Sequence, residues 1–206
     1  MGGKTSLFVG FARTYYLAAV FHAPLPSRMV HIHGAAFPCW ILLLITQTSL
    51  VAAGRVDIHR RLGIAGFPFG CLMVVLGVLA ATDSLVRAAG HAGRDVPAVY
   101  IVPLMDMVIS ATLLAFAFRA RRDSAAHKRL IYPATRGLLI AAVARWPFAI
   151  VNRNAPVAAL FSYVFLLALM GYDQWSTRKI HRVTLWAGRF VVVLQQLCHP
   201  MGQTAS

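Results

Sequence analysis

Glutamate is absent from this chain, and aspartate, the other carboxylate, occurs only six times. No two carboxylates are set as a catalytic pair. The chain also lacks a G-x-S-x-G, an HExxH and a glycine-rich phosphate loop following a strand. A soluble hydrolase or nucleotide enzyme is therefore not supported. Charge of either sign is scarce, at 13% of residues, where soluble domains carry about 25%. The three cysteines, Cys39, Cys71 and Cys198, are odd in number, show no CxxC spacing and fall in or beside apolar segments. This argues against a disulfide framework and against a zinc knuckle. A cleavable signal peptide is not expected either, because the first apolar run starts at Ser6, is broken by Arg13 and is followed by no A-x-A site.

Apolar sequence is abundant instead. Hydrophobic residues make up 59% of the 206 positions, the net charge is +14, and the mean hydropathy is +0.67. A basic surplus of that size can mark a nucleic-acid binder. Here, however, the Lys and Arg lie between apolar runs of membrane length, which points to a lipid headgroup surface and away from nucleic acid. A bilayer core takes about 20 apolar residues per helix. Runs of this kind fall at 30–53, 59–82, 99–119, 128–150, 156–174 and 181–198, with a shorter one at 6–21, and "HAPLPSR", "AAGHAGRDVPA" and "NRNAP" punctuate the gaps. The expectation is one all-α transmembrane domain over 1–206, a bundle of six to seven helices.

Orientation follows from the basic residues. The gaps at 54–61, 119–129 and 175–182 hold eleven Lys and Arg, and the alternate gaps hold four: Arg28, Arg87, Arg94 and Arg153. The positive-inside rule places the first set in the cytoplasm. Three echoes of one pattern sit at that side: "RVDIHRRLGIAG" from Arg55, "AHKRLIYPA" from Ala126 and "KIHRVTLWAG" from Lys179. Each is a helix entrance, with Asp57 and Ser124 as expected N-caps. Topology accounts for the basic residues but not for the histidines. His59 and His127 open two helices that run in the same direction. Imidazoles facing each other across a bundle suit the axial ligation of a haem b, a proton relay, or simple end packing. His181, in the third echo, fits the pattern less well.

Charges within spans are costly and direct attention to function. Asp106, in "PLMDMVIS", and Arg145, in "VARWPFA", lie about 10 and 8 Å from the outer ends of adjacent helices. They are expected to form a buried ion pair, either functional or simply locking two helices together. Arg136 and Arg189 have no evident carboxylate partner. At the outer side, "MVHIHG" supplies His31 and His33, candidate ligands for a soft metal together with Met29, Met105 and Met107. Residues i and i+2 share no helical face, so joint ligation needs an irregular start. Interfacial hydrogen bonding is the alternative role.

Taken together, "VGFARTYYL", "HIHGAAFPCWILLLITQTSLVAAGRVDIHRRLG", "MDM", "AHKRL", "ARWP" and "TLWAG" resemble a family of bacterial multi-pass membrane proteins of unassigned activity. The likeness runs over nearly the whole chain and implies a bacterial inner-membrane location. A looser similarity is to the diheme ascorbate-reducible cytochromes b, in which histidines on alternate helices ligate haem. That similarity implies haem b at His59 and His127. It leaves His33 without a partner, because the matching helix offers only Met105 and Met107. Three readings are carried forward: a small haem- or metal-binding redox protein, a non-catalytic subunit or assembly factor of a respiratory or photosynthetic complex, and a transporter with a site near the outer face.

Overall fold

The computed structural model describes residues 27–89, 96–143 and 155–203. Every regular element among these residues is an α-helix: α1 (Arg28–Ala52), α2 (Val56–Ala89), α3 (Val96–Arg119), α4 (Ser124–Val143), α5 (Ala155–Thr177) and α6 (Arg182–Gln203). The apolar runs expected between 30 and 198 fall on these helices, that at 128–150 as far as Val143, while 144–150 and the run at 6–21 lie outside the described residues. Three stretches are long and apolar enough to cross a membrane, His31–Ala52, Val56–Val86 and Tyr100–Arg119. By contrast, α4 and α6 interrupt their apolar sequence with Arg129, Arg136 and Arg189. One proline lies inside each of the first four helices, at Pro38, Pro68, Pro103 and Pro133. Each removes a backbone hydrogen bond, a loss tolerated in apolar helices that pack on neighbours.

The helix ends follow local chemistry. After α1, Gly54 takes φ +71°. Its N–H donates to Val51 O (3.1 Å) and that of Arg55 to Leu50 O (2.8 Å), the double closure of a Schellman turn. Asp123 caps α4, its Oδ1 accepting from Ala125 N (2.9 Å) and Ala126 N (3.1 Å). The expected cap at Ser124 is thus displaced by one residue, because the shorter reach of Asp123 satisfies two orphan amides at once. Asp57 does not precede α2 either. It sits in that helix's first turn, where its charge favours the positive end of the helix dipole.

Packing makes α3 and α4 central. Helix α1 packs on α2, α2 on α3 and α3 on α4, while α6 lies against both α3 and α4 and α5 against α4. The core joins Phe37 and Trp40 of α1, Met73 of α2, Ile109 and Leu113 of α3, Leu130 and Leu138 of α4, and Val191 of α6. Glycines set two close approaches. A Cβ on Gly70 would lie 2.7 Å from Leu114 Cδ2 and 3.2 Å from the Trp40 ring, and one on Gly137 would lie 2.9 Å from the Asp106 carbonyl oxygen.

The distribution of polarity is inverted relative to a water-soluble bundle. Leu42 and Leu167 are 62% and 63% exposed, whereas Arg136 and Asp173 are fully buried. A soluble surface covers its leucines and solvates its charges. Here two ion pairs lie inside and aliphatic side chains face outward on α1, α2, α3, α5 and α6, the arrangement that lipid favours.

Candidate functional site

Consecutive antiparallel helices bring the α1–α2, α3–α4 and α5–α6 turns to one end of the bundle, and the three histidine echoes gather there. His59 lies in the first turn of α2 and His127 in the first turn of α4, on either side of the last turn of α3. Their rings meet with centroids 6.3 Å apart and planes at 78°. Both are half-buried. His127 Nδ1 lies 2.8 Å from Ala117 O. A carbonyl oxygen only accepts, so Nδ1 carries the proton and Nε2 keeps a lone pair. Opposite, the Gln47 amide of α1, oriented to satisfy its three neighbours, donates to His59 Nδ1 (2.6 Å) and His59 O (3.1 Å) and accepts from Gly63 N (2.8 Å).

The ring separation discriminates between uses of the pair. Imidazoles joined by a direct N–H···N bond would have centroids roughly 5.2 Å apart. A metal atom bound in line by both rings, through bonds of about 2.0 Å, would hold them roughly 6.4 Å apart. The observed spacing is too wide for direct bonding; it is compatible both with an atom shared between the rings and with simple edge-on packing of the two imidazoles. The donor set fits a haem iron or metal ion at His127 alone, whose Nδ1–H is held by a carbonyl as in ligating histidines. His59, whose Nδ1 accepts from Gln47, carries its proton on Nε2 and would ligate only in the other tautomer, with the Gln47 amide oxygen turned to Nδ1. Among the described residues no cluster of three or more His, Cys, Asp or Glu could hold a metal ion, so any metal here would rest on this pair and on ligands from a cofactor.

The third echo does different work. Asp173, near the end of α5, is fully buried. It receives Arg129 Nε (2.8 Å) and Nη2 (2.6 Å) on Oδ1, and His181 N (3.0 Å) and the Thr184 hydroxyl on Oδ2. Arg129 Nη1 also donates to Ala125 O (2.8 Å). His181 Nδ1 accepts from Val183 N (3.2 Å), so this histidine caps α6. One carboxylate therefore ties α4, α5 and the start of α6 together. Beside it, Lys128 Nζ donates to the Tyr172 hydroxyl (3.2 Å) and lies over the Tyr172 ring.

Asp106 is buried and faces Arg136 of α4, with Nη2–Oδ1 at 3.3 Å. Arg136, which the sequence left without a carboxylate, thus has one, whereas Arg145 lies outside the described residues. Among the described residues, Arg136 Nε and Nη1 and Ser110 Oγ meet no hydrogen-bond partner. Counting from the α3–α4 turn gives the signal that finds the pair: Asp106 is thirteen residues before Arg119, and Arg136 is twelve after Ser124. The same count from the ends of α4 and α5 that lie beside the histidine motifs puts Arg129 level with Asp173. Only Gln47 and the Ala117 carbonyl had no such signal, since an amide and a main-chain oxygen carry no charge pattern.

At the other end, α1 is already helical from Arg28. His31 and His33 therefore leave on different faces, His33 buried and His31 half-buried, and the structure does not bring them together. Met107 packs against Gly77 of α2, and Met105 lies beside the core. Comparison with protein-family models, curated proteins and solved structures finds no match to this chain.

Proposed function

We propose that this is a multi-pass protein of the bacterial inner membrane, with six to seven spans and the histidine end in the cytoplasm, and that His59 and His127 ligate a haem b iron or a single redox metal ion. The observation that carries the reading is the 6.3 Å separation of the two rings, the spacing of two ligands on one atom. A bound haem or copper would supply a one-electron couple, making the protein an electron carrier between a donor or quinone and a partner. The chain's own contribution is orientation. Ala117 O holds the His127 ring by Nδ1 and leaves Nε2 as the donor atom. Gln47 orients the His59 ring at Nδ1, and ligation by His59 Nε2 would require that amide to turn its oxygen to Nδ1 so that the ring proton sits there. The turns at Gly54 and Asp123 set both histidines at one depth. The inverted polarity and the eleven-to-four basic asymmetry support the membrane part of the reading.

The Gln47 amide favours a second use of the same pair. By donating to His59 Nδ1 it leaves the ring proton on Nε2, opposite the lone pair of His127, and a water between them would complete a proton relay. Absorption spectra of the detergent-purified protein, oxidised and dithionite-reduced, with metal analysis of the same sample, separate the two. A Soret band with a sharp reduced α-band, or stoichiometric copper, lost in both His59→Ala and His127→Ala, is expected. A colourless, metal-free protein overturns ligation and leaves the relay, complex-subunit or transporter readings.

A further inference from the structure

The two arginines that face inward, Arg129 and Arg136, each meet an aspartate. Arg182 and Arg189 of α6 are exposed and form no ion pair with any described residue. Arg182 opens α6, and Arg189 lies about 10 Å further along the axis. Helical side chains slant back toward the N-terminus of their helix, so the Arg189 guanidinium is carried toward Arg182 and the cytoplasmic headgroup level. Arg178 and Lys179 are exposed in the turn just before the helix.

Between the two arginines stands an aromatic wall. Trp186 and Phe190 stack with centroids 5.4 Å apart and planes at 4°, and Phe116 of α3 meets Trp186 edge-on at 5.1 Å. Trp186 and Phe190, with Leu185, Val193 and Leu194 on the same side of α6, line an open cavity of about 470 Å³ together with both arginines. A second cavity of about 320 Å³, lined by Phe116, Leu130 and Val183, adjoins it through Arg182 and Trp186. The two cavities, bordered in common by Arg182 and Trp186, form one trough-like face that combines cations with aromatic and aliphatic side chains.

We propose that this trough is a binding site for one anionic phospholipid, with its phosphate between Arg182 and Arg189 and its acyl chains along Trp186, Phe190 and Val193. The inference rests on the membrane reading but not on the histidine site. Charge complementarity chooses the occupant: two guanidinium groups with no ion-pair partner among the described residues call for an anion at the headgroup level, and the apolar walls call for a hydrocarbon chain. Basic pockets between helices on the cytoplasmic side recognise acidic headgroups in this way, each cation enriching anionic lipid roughly fivefold and two together about thirtyfold.

The test reconstitutes the full chain in phosphatidylcholine vesicles carrying a minor fraction of brominated phosphatidylglycerol or, separately, brominated phosphatidylcholine. Trp186 quenching is read as the difference from Trp186→Phe. Flotation with the vesicles comes first, because failure to float refutes the membrane reading itself. The expected result is strong preference for the brominated phosphatidylglycerol, abolished in Arg182→Gln/Arg189→Gln and retained in Arg60→Gln/Arg61→Gln, which alters exposed cations elsewhere at the same end. Equal quenching by the two lipids in the unaltered protein overturns the proposal without recourse to any variant. A preference that survives the Arg182/Arg189 substitution reduces it to overall basic charge. Absence of quenching by either lipid means that protein covers the trough, and this also overturns it.

Discussion

Replacing Arg129 by Met should be the most damaging single change at the histidine end of the bundle. The side chain of Asp173 is fully buried and accepts four hydrogen bonds, two of them from Arg129. Removing Arg129 leaves only the His181 amide and the Thr184 hydroxyl facing a charge out of contact with solvent. Hydrogen bonds to charged groups are worth about 1.5–3 kcal/mol each, so two lost bonds give about 3–6 kcal/mol. Breaking buried ion pairs costs about 3–5 kcal/mol, which agrees. Asp173→Leu should cost a similar amount, because it strands the guanidinium and uncaps α6. Arg129→Met/Asp173→Leu should recover most of the loss, since no unpaired charge then remains and the site is otherwise apolar. Equilibrium unfolding in detergent, followed by helical circular dichroism against denaturant, measures all three. Single variants that lose less than about 1 kcal/mol, the range of exposed pairs, would refute the reasoning, as would a double variant no more stable than the worse single.

Two other expectations test the packing and the site. Gly137→Ala places a methyl group against the Asp106 backbone and should destabilise by about 1–3 kcal/mol. Gly171→Ala, with open space around it, should be neutral or stabilise by up to about 1 kcal/mol, and equal unfolding midpoints for the two would contradict the close α3–α4 approach. Gln47→Leu removes the group that holds His59 Nδ1. With Nδ1 no longer held as an acceptor the ring proton can move there from Nε2, so haem or copper binding in titrations of the metal-free protein should strengthen, and unchanged or weaker affinity would mean that Gln47 does not fix the tautomer.

The linear order of residues determined the helices, their approximate ends and the depth of each polar group along them. Apolar runs of membrane length, bounded by Pro, Gly and basic residues, can be read in one dimension. So can the return of three histidine motifs to one end of the bundle, since each apolar run reverses the chain. What the sequence left open was azimuth, the direction each side chain faces around its helix. Asp106 was set against Arg145 by depth from the outer end, yet the guanidinium beside it belongs to Arg136, because Gly137 lets α4 close upon α3 at that level. His59 and His127 shared a depth in the sequence, but only packing against α3 brought their rings within 6.3 Å. His181 carried the same motif and became a cap, because Asp173 and Arg129 already filled the space it faces. Depth is fixed by counting residues along one helix. Facing depends on which helices touch and how closely, and small residues such as Gly70 and Gly137 decide that only once their neighbours are in place.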